Sequence, residues 1–183
     1  MNVTKKAAFL DRDGIINEIV YHGINKPSSP WKFEEFKLIP GIKKPLEELV
    51  LMGYLLFIVS NQPDISRGLI EGGTTEKINN EIYQRFPISE IRVCPHDDHH
   101  NCKCRKPKPG MILDLCKKWN VDPSKSFMIG DNWKDIEAGK SAGCKCILLD
   151  KKYNKSINIK HRVKNLKEAV EFVKIINKKN ILL

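Results

Sequence analysis

The chain has 183 residues, 41% hydrophobic and 30% charged, with 32 Lys and Arg against 22 Asp and Glu and a net charge of +10. That length suffices for one domain with a real core, and the composition is globular rather than disordered or fibrous. No apolar run approaches the roughly 20 residues that cross a bilayer, and the stretch before Asp11 is too short for a signal peptide, so a cytoplasmic protein without a membrane partner is expected.

A pI near 9.3 favours anionic partners, phosphate esters as well as nucleic acid. The lysines are scattered apart from Lys151-Lys152 and Lys178-Lys179, which argues against a nucleic-acid surface. Six cysteines in a chain without a secretion signal do not suggest a disulfide framework. Cys116, Cys144 and Cys146 read as small buried hydrophobes, whereas Cys94, Cys102 and Cys104 cluster beside His96.

In chain order, the first element is the apolar run Ala7 to Leu10, a buried strand that stops at Asp11-Arg12-Asp13-Gly14. Carboxylates just past such a strand lie at the carboxyl edge of a sheet, where open α/β folds bind ligands. Two acids at i and i+2 repel, and a divalent cation relieves that repulsion. Taken alone, this segment reads equally well as a solvated turn. Tyr21 to Pro40 follows, rich in Pro and Ser and expected to be an irregular surface loop beside the acids.

Ile42 to Met52 has apolar residues at helical spacing and stops at Gly53. Tyr54 to Val59 is nearly all apolar, as in a strand buried on both faces, and ends in Ser60-Asn61-Gln62. Thr74 or Thr75 is expected to cap a helix reaching about Arg85. A short strand, Ile91 to Cys94, opens the cysteine loop 94–109, and Gly110 to Trp119 is amphipathic. Ser126 to Ile129 is a fourth strand, ending in Gly130-Asp131-Asn132. A helix from Trp133 to about Ala142, a strand Cys146 to Leu149 and a helix from Leu166 to Ile176 complete the chain. Five strands alternating with helices predict a single α/β domain over 1–183, with a doubly wound parallel sheet and helices on both faces. The basic tail 177–183 is expected to fray.

A parallel sheet brings all these strand ends to one edge, so Asp11, Asp13, Ser60, Asn61, Cys94, Asp131 and Asp135 should converge, with Arg105-Lys106-Pro107 close behind. Three acids near one point call for a hard cation, and Mg²⁺ binds one or two carboxylates together with phosphate oxygens. A lysine and a hydroxyl beside it make a cradle for a phosphoryl group, whose transfer depends on positioning and charge neutralisation. In the loop, Cys94, His96, Cys102 and Cys104 offer three thiolates and an imidazole, the closed set of a structural zinc site. His99 and His100 are spare candidates.

Phe9-Leu10-Asp11-Arg12-Asp13-Gly14, the hydroxyl of Ser60, Lys106, and Gly130-Asp131 with Asp135 resemble the four motifs of the haloacid dehalogenase (HAD) phosphatase superfamily. Ser60-Asn61-Gln62, Arg67-Gly68, Cys94-Pro95-His96 and Cys102-Lys103-Cys104-Arg105-Lys106-Pro107 narrow the likeness. They are similar to the D-glycero-D-manno-heptose 1,7-bisphosphate 7-phosphatases and the related histidinol-phosphatase domains. The resemblance implies Asp11 as nucleophile and Asp13 as general acid and base. It implies Mg²⁺ on the Asp11 carboxylate, the Asp13 main-chain carbonyl and Asp131. Ser60 and Lys106 would hold the phosphoryl group and Arg105 the substrate, with Asn61, Gln62 and Asn132 as further polar contacts. It also puts the fourth zinc ligand at His96 and leaves Asp135 as a supporting acid.

The chain departs from the pattern at Ile15, where a threonine is usual, at Pro63-Asp64-Ile65-Ser66, and in the longer Tyr21–Pro40 loop with its Trp31. Those changes lie where a sugar would bind. The expected activity is hydrolysis of the 7-phosphate of heptose 1,7-bisphosphate by a monomer. Histidinol phosphate is the alternative substrate; a nucleic-acid 3′-phosphatase and a non-catalytic zinc-loop interaction module are weaker readings. Trp31 either covers sugar C–H surface or anchors its loop.

Overall fold

In the computed structural model, which describes residues 4–23 and 27–181, the run ending at Asp11 lies in the middle of a six-stranded sheet. The elements are β1 (Lys6–Leu10), β2 (Val20–Tyr21), β3 (Pro27–Ser28), α1 (Lys43–Leu51), β4 (Tyr54–Asn61), α2 (Pro63–Ser66), α3 (Thr74–Arg85), β5 (Glu90–Cys94), α4 (Gly110–Trp119), β6 (Phe127–Gly130), α5 (Trp133–Ala142), β7 (Lys145–Leu149), β8 (Arg162–Val163) and α6 (Leu166–Ile181). The strand order is β5-β4-β1-β6-β7-β8 and every pairing is parallel. The chain winds outward from β1 through β4 to β5, then returns to β6 on the other side of β1 and winds outward again. The reversal falls between β1 and β6, where the loops diverge and leave a crevice.

Strand residues alternate between two cores. Ala8 and Leu10 of β1 join Leu56 and Ile58 of β4 against α1, α3 and α6, through Leu46, Leu49, Ile78, Ile82, Val170 and Val173. Ala7 and Phe9 join Phe57 and Val59 against α4 and α5, through Met111, Ile112, Leu115, Ile136 and Ala142. All four apolar residues of β1 are fully buried, as an inner strand covered on both faces requires. α4 stops at Asn120 in the left-handed conformation, and α5 at Gly143 with φ +89°.

The expected helices α4 and α5 have the expected ends, and the strands differ by a residue or two. A sixth strand, β8, extends the sheet; its two residues are too few to leave a periodic signal. Within the Tyr21–Pro40 stretch, β2 and β3 form a small antiparallel pair, Val20 opposite Ser28 and Tyr21 opposite Pro27, and Phe33–Glu35 is a 3₁₀ turn. The stretch is therefore more regular than its composition suggests, and proline is tolerated because an edge strand can do without its N–H. Residue 73, a glycine at φ +78°, occupies the N-cap of α3, where a threonine was expected. α6 continues past Ile176 to Ile181, held on the body by Tyr54 Oη donating to Asn177 Oδ1 at 2.8 Å and by a Lys174–Glu48 pair at 2.9 Å. Of the tail expected to fray, Leu182 and Leu183 lie outside the described residues.

Candidate active site

At the carboxyl edge of the sheet lies a cavity of about 500 Å³. Asp11, Asp13, Asn61, Arg105, Lys106, Asp131, Asn132 and Asp135 all line it, so strands β1, β4 and β6 and the cysteine loop each contribute. Ser60 and Gln62 are fully buried and do not line it; the Gln62 Nε2 donates to Ser60 Oγ at 2.8 Å.

Asp11, Asp131 and Asp135 each bring a carboxylate oxygen within 4.8 Å of the others. Three carboxylates so close are costly, and Lys106, 2% exposed, offsets part of the repulsion. Its Nζ sits 2.9 Å from Asp11 Oδ1 and 2.6 Å from Asp135 Oδ1. Burial opposes the charge on Lys106, but the two carboxylates outweigh it and hold the ammonium above its usual pKa. Burial, with the Asp135 charge next, raises Asp11 well above the usual carboxylate range, against the pull of Lys106. Burial and Asp135 likewise push Asp131 up to about 7. One lysine is thus too little positive charge for three acids, and an all-oxygen donor set of this kind suits a hard divalent cation such as Mg²⁺.

Local chain geometry makes this crowding possible. Gly14 has φ +84°, and a Cβ there would come 1.8 Å from Asp131 Oδ2. The missing side chain is the space that Asp131 fills. Asp135 Oδ2 accepts from the N–H groups of Asp131 (3.2 Å) and Asn132 (2.9 Å), while Asn132 Oδ1 caps α5 through Lys134 N at 3.1 Å. Asp135 is therefore both a first-turn helix acid and a member of the trio. Asn61 clamps the lysine's backbone: its Nδ2 donates to Lys106 O at 2.9 Å and its Oδ1 accepts from Lys106 N at 3.0 Å.

The Asp13 carboxylate is engaged separately. It accepts from Gln62 Nε2 at 2.6 Å, Asn17 Nδ2 at 2.9 Å and the Arg12 guanidinium at 3.2 Å. Arg12 and Asn17 are fully buried. The resemblance assigned them no role, yet a polar residue directly after Ile15-Ile16 was a visible signal at Asn17.

In the cysteine loop, Cys94, His96, Cys102 and Cys104 converge. Their sulfurs lie 3.2 to 3.6 Å apart and His96 Nδ1 is 3.4 Å from Cys104 Sγ and 3.6 Å from Cys94 Sγ. A tetrahedron with about 2.3 Å zinc–sulfur and about 2.1 Å zinc–nitrogen bonds has edges of about 3.6–3.8 Å, so the donors fit zinc with little movement. Burial, then the neighbouring thiols, pushes Cys94 up to about 12, and a cation is what makes a thiolate favourable there. His99 and His100 lie with their rings tilted against each other, centroids 4.0 Å apart, and are outside the four-donor group.

The rim of the cavity carries charge and aromatic surface. Arg105 Nε donates to Asp98 at 2.7 Å and its Nη1 to the His96 carbonyl at 3.0 Å, so the cysteine loop aims it. Arg67 bridges Asp97 (2.6 Å) and Asp64 (2.8 Å), tying the turn after β4 to that loop. Trp31 lines the cavity, stacks on His22 with centroids 3.7 Å apart, and donates from Nε1 to Asp64 at 2.9 Å. It is both anchored and presented to the cavity. Trp133, 51% exposed, and Tyr153 also line it; nothing in the Lys-rich stretch around Tyr153 marks it out.

The haloacid dehalogenase-like hydrolase family model matches residues 11–149. The chain belongs to this family. Among curated proteins, it is 39% identical over 158 residues to the D-glycero-beta-D-manno-heptose-1,7-bisphosphate 7-phosphatase of Pasteurella multocida, covering 80% of this chain and 82% of that one. It is 35% identical over 174 residues to the D-glycero-alpha-D-manno-heptose-1,7-bisphosphate 7-phosphatase of Campylobacter jejuni, covering 92% and 96%. Among solved structures, the D,D-heptose 1,7-bisphosphate phosphatase of B. bronchiseptica, complexed with magnesium and phosphate, superposes with a TM-score of 0.78 over 95% of this chain and 99% of that one, at 24% identity. The family match starts on Asp11 and takes in Asp13, Lys106, Asp131 and Asp135, which line the cavity, as well as the cysteine loop beside it.

Proposed function

We propose that this chain is a magnesium-dependent phosphatase that removes the 7-phosphate of D-glycero-D-manno-heptose 1,7-bisphosphate, acting as a cytoplasmic monomer of one domain. The observation that carries the chemistry is Asp11 at the end of β1, with Lys106 at 2.9 Å and two further carboxylates beside it at the crevice of the sheet. The substrate reading rests on the relatives named above and on a cavity roomy enough for a phosphorylated seven-carbon sugar. Relatives of both anomeric types match, so both anomers are candidate substrates.

Asp11 attacks phosphorus in line, forming an Asp11 O–P bond as the P–O7 bond breaks. Asp13 gives its proton to O7, then takes one from the water that attacks the aspartyl-phosphate, which frees Asp11. Lys106 neutralises phosphoryl oxygens, and Ser60 supports it from the end of β4. Arg105, Asn61, Gln62 and Asn132 complete the substrate side, Asn61 by holding the Lys106 backbone and Gln62 by holding Asp13. Asp11 and Asp131, with the Asp13 carbonyl, would hold Mg²⁺, with Asp135 supporting them, and the cation would supply the positive charge that Lys106 alone does not. Cys94, His96, Cys102 and Cys104 would hold zinc, which would order the loop that presents Arg105 and Lys106 and supply no chemistry of its own.

The experiment is phosphate release with Mg²⁺ across both anomers of heptose 1,7-bisphosphate, other sugar phosphates, histidinol phosphate and a 3′-phosphorylated oligonucleotide. A kcat/KM for one heptose bisphosphate at least tenfold above every other substrate is expected. Preference for histidinol phosphate or the oligonucleotide would overturn the substrate assignment, and no phosphate release from any would overturn the catalytic one.

A further inference from the structure

Asp131 is gripped by a segment that follows the last motif, Asp150 to Val163. Tyr153 Oη donates a hydrogen bond to Asp131 Oδ2. From the next residue, Asn154 Nδ2 donates to the Asp131 carbonyl at 2.8 Å and to the Leu149 carbonyl at 2.7 Å. Arg162 on β8 fixes that turn in place: Nη1 donates to Asn154 Oδ1 at 2.9 Å, and Nη2 to the carbonyls of Asn154 (3.1 Å) and Ile157 (2.5 Å). The same Asp131 Oδ2 lies against the open side of Gly14. One oxygen of Asp131, Oδ2, is thus enclosed by a hydroxyl and a backbone.

We propose that Tyr153 is a positioning residue for the cation site: its hydroxyl locks the Asp131 carboxylate so that a fixed oxygen, Oδ1, faces a divalent cation. This rests on the reading of Asp131 as a magnesium ligand. The torsion that turns a carboxylate about its last bond is soft, so an unheld Asp131 would sample a broad range of angles, and fixing one of them costs entropy on binding. A hydrogen bond from a tyrosine seated on an anchored turn removes that freedom before the cation arrives. Partners that orient metal ligands in this way typically account for about 10–100-fold in metal affinity. Tyr153 also lines the cavity, which puts its ring at the wall of the site while its hydroxyl points to the acid.

The test is Tyr153→Phe, which removes the hydroxyl and keeps the ring. Mg²⁺ alone, without substrate, is titrated into wild type and variant by calorimetry, and the melting temperature of each is measured without added Mg²⁺. The expected result is Mg²⁺ affinity lowered about tenfold or more, with the Mg²⁺-free melting temperature unchanged. Equal Mg²⁺ affinity in the two proteins would overturn the proposal. So would a variant that is unfolded or much less stable without Mg²⁺, since the hydroxyl would then be holding the fold. If wild type itself binds no Mg²⁺, the reading of the whole site fails, which is a different outcome from equal binding by both.

Discussion

Lys106→Met removes the charge that sits between Asp11 and Asp135 while keeping the length of the side chain. Removing one partner of a buried ion pair costs about 3–5 kcal/mol. A second route gives the same size. Without the lysine, the least costly response at pH 7 is for one more acid of the trio to keep its proton, roughly three pH units above an ordinary carboxyl pKa at about 1.4 kcal/mol each, or about 4 kcal/mol. For a chain of this size each kcal/mol shifts the melting temperature by about 2–4 °C, so a drop of about 6–20 °C is expected by scanning calorimetry in magnesium-free buffer. The pH dependence has a definite sign. The variant's retained proton means a folded-state pKa raised above the unfolded one, a penalty that is full at high pH and fades as pH falls toward about 4. The gap between wild type and variant should therefore narrow between pH 7 and pH 5. A drop under about 2 °C at pH 7, or a gap that does not change with pH, would refute the idea that Lys106 balances the carboxylate trio.

Asp11→Asn should fold and bind Mg²⁺ weakly but release phosphate at under a few per cent of the wild-type kcat, and faster turnover would rule out the covalent route. Asp13→Asn should lose about 10²–10⁴-fold in kcat on a sugar phosphate, because leaving-group protonation is gone; near-normal turnover there would remove its acid/base role. Protein purified without added metal should carry close to one zinc per chain, and Cys102→Ser should lower zinc content, melting temperature and activity together without rescue by Mg²⁺. Trp31→Ala breaks the Asp64 bond and the His22 stack, so the melting temperature should fall, and kcat/KM should fall further for the heptose bisphosphate than for para-nitrophenyl phosphate. Equal losses on the two substrates would leave Trp31 as an anchor alone.

The parts of the site legible in the sequence are those that sit where an apolar run ends. Leu10 to Asp11 and Ile129 to Asp131 show both the strand and its edge, because burial on two faces demands an unbroken apolar run and solvent at the sheet's end permits charge. The cysteine loop was legible through spacing, since four donors close together have few other uses. Residues that act through a single long-range hydrogen bond left no such trace. Asn61 reads as a polar strand end, and only the fold shows its amide on the Lys106 backbone. Tyr153 lies between lysines with no period to mark it, and β8 and the β2–β3 pair are two residues long, below the length at which alternation can be recognised.

The pairing of β1 with β6 works as a ruler. Leu10 stands opposite Ile129; Asp11 is the next residue after Leu10, and Asp131 comes two residues after Ile129, past Gly130. A slip of one residue between these strands would carry Asp131 about 3.3 Å along the sheet and turn its side chain to the opposite face. The distance between Asp11 and Asp131 is thus written in the hydrogen-bond ladder itself and not in any flexible loop. The segments over the cavity, Pro63-Asp64 and Pro27 to Trp31, lie outside this ladder and do not set that spacing. The rim of the cavity and the spacing of its carboxylates are thus set by separate parts of the chain.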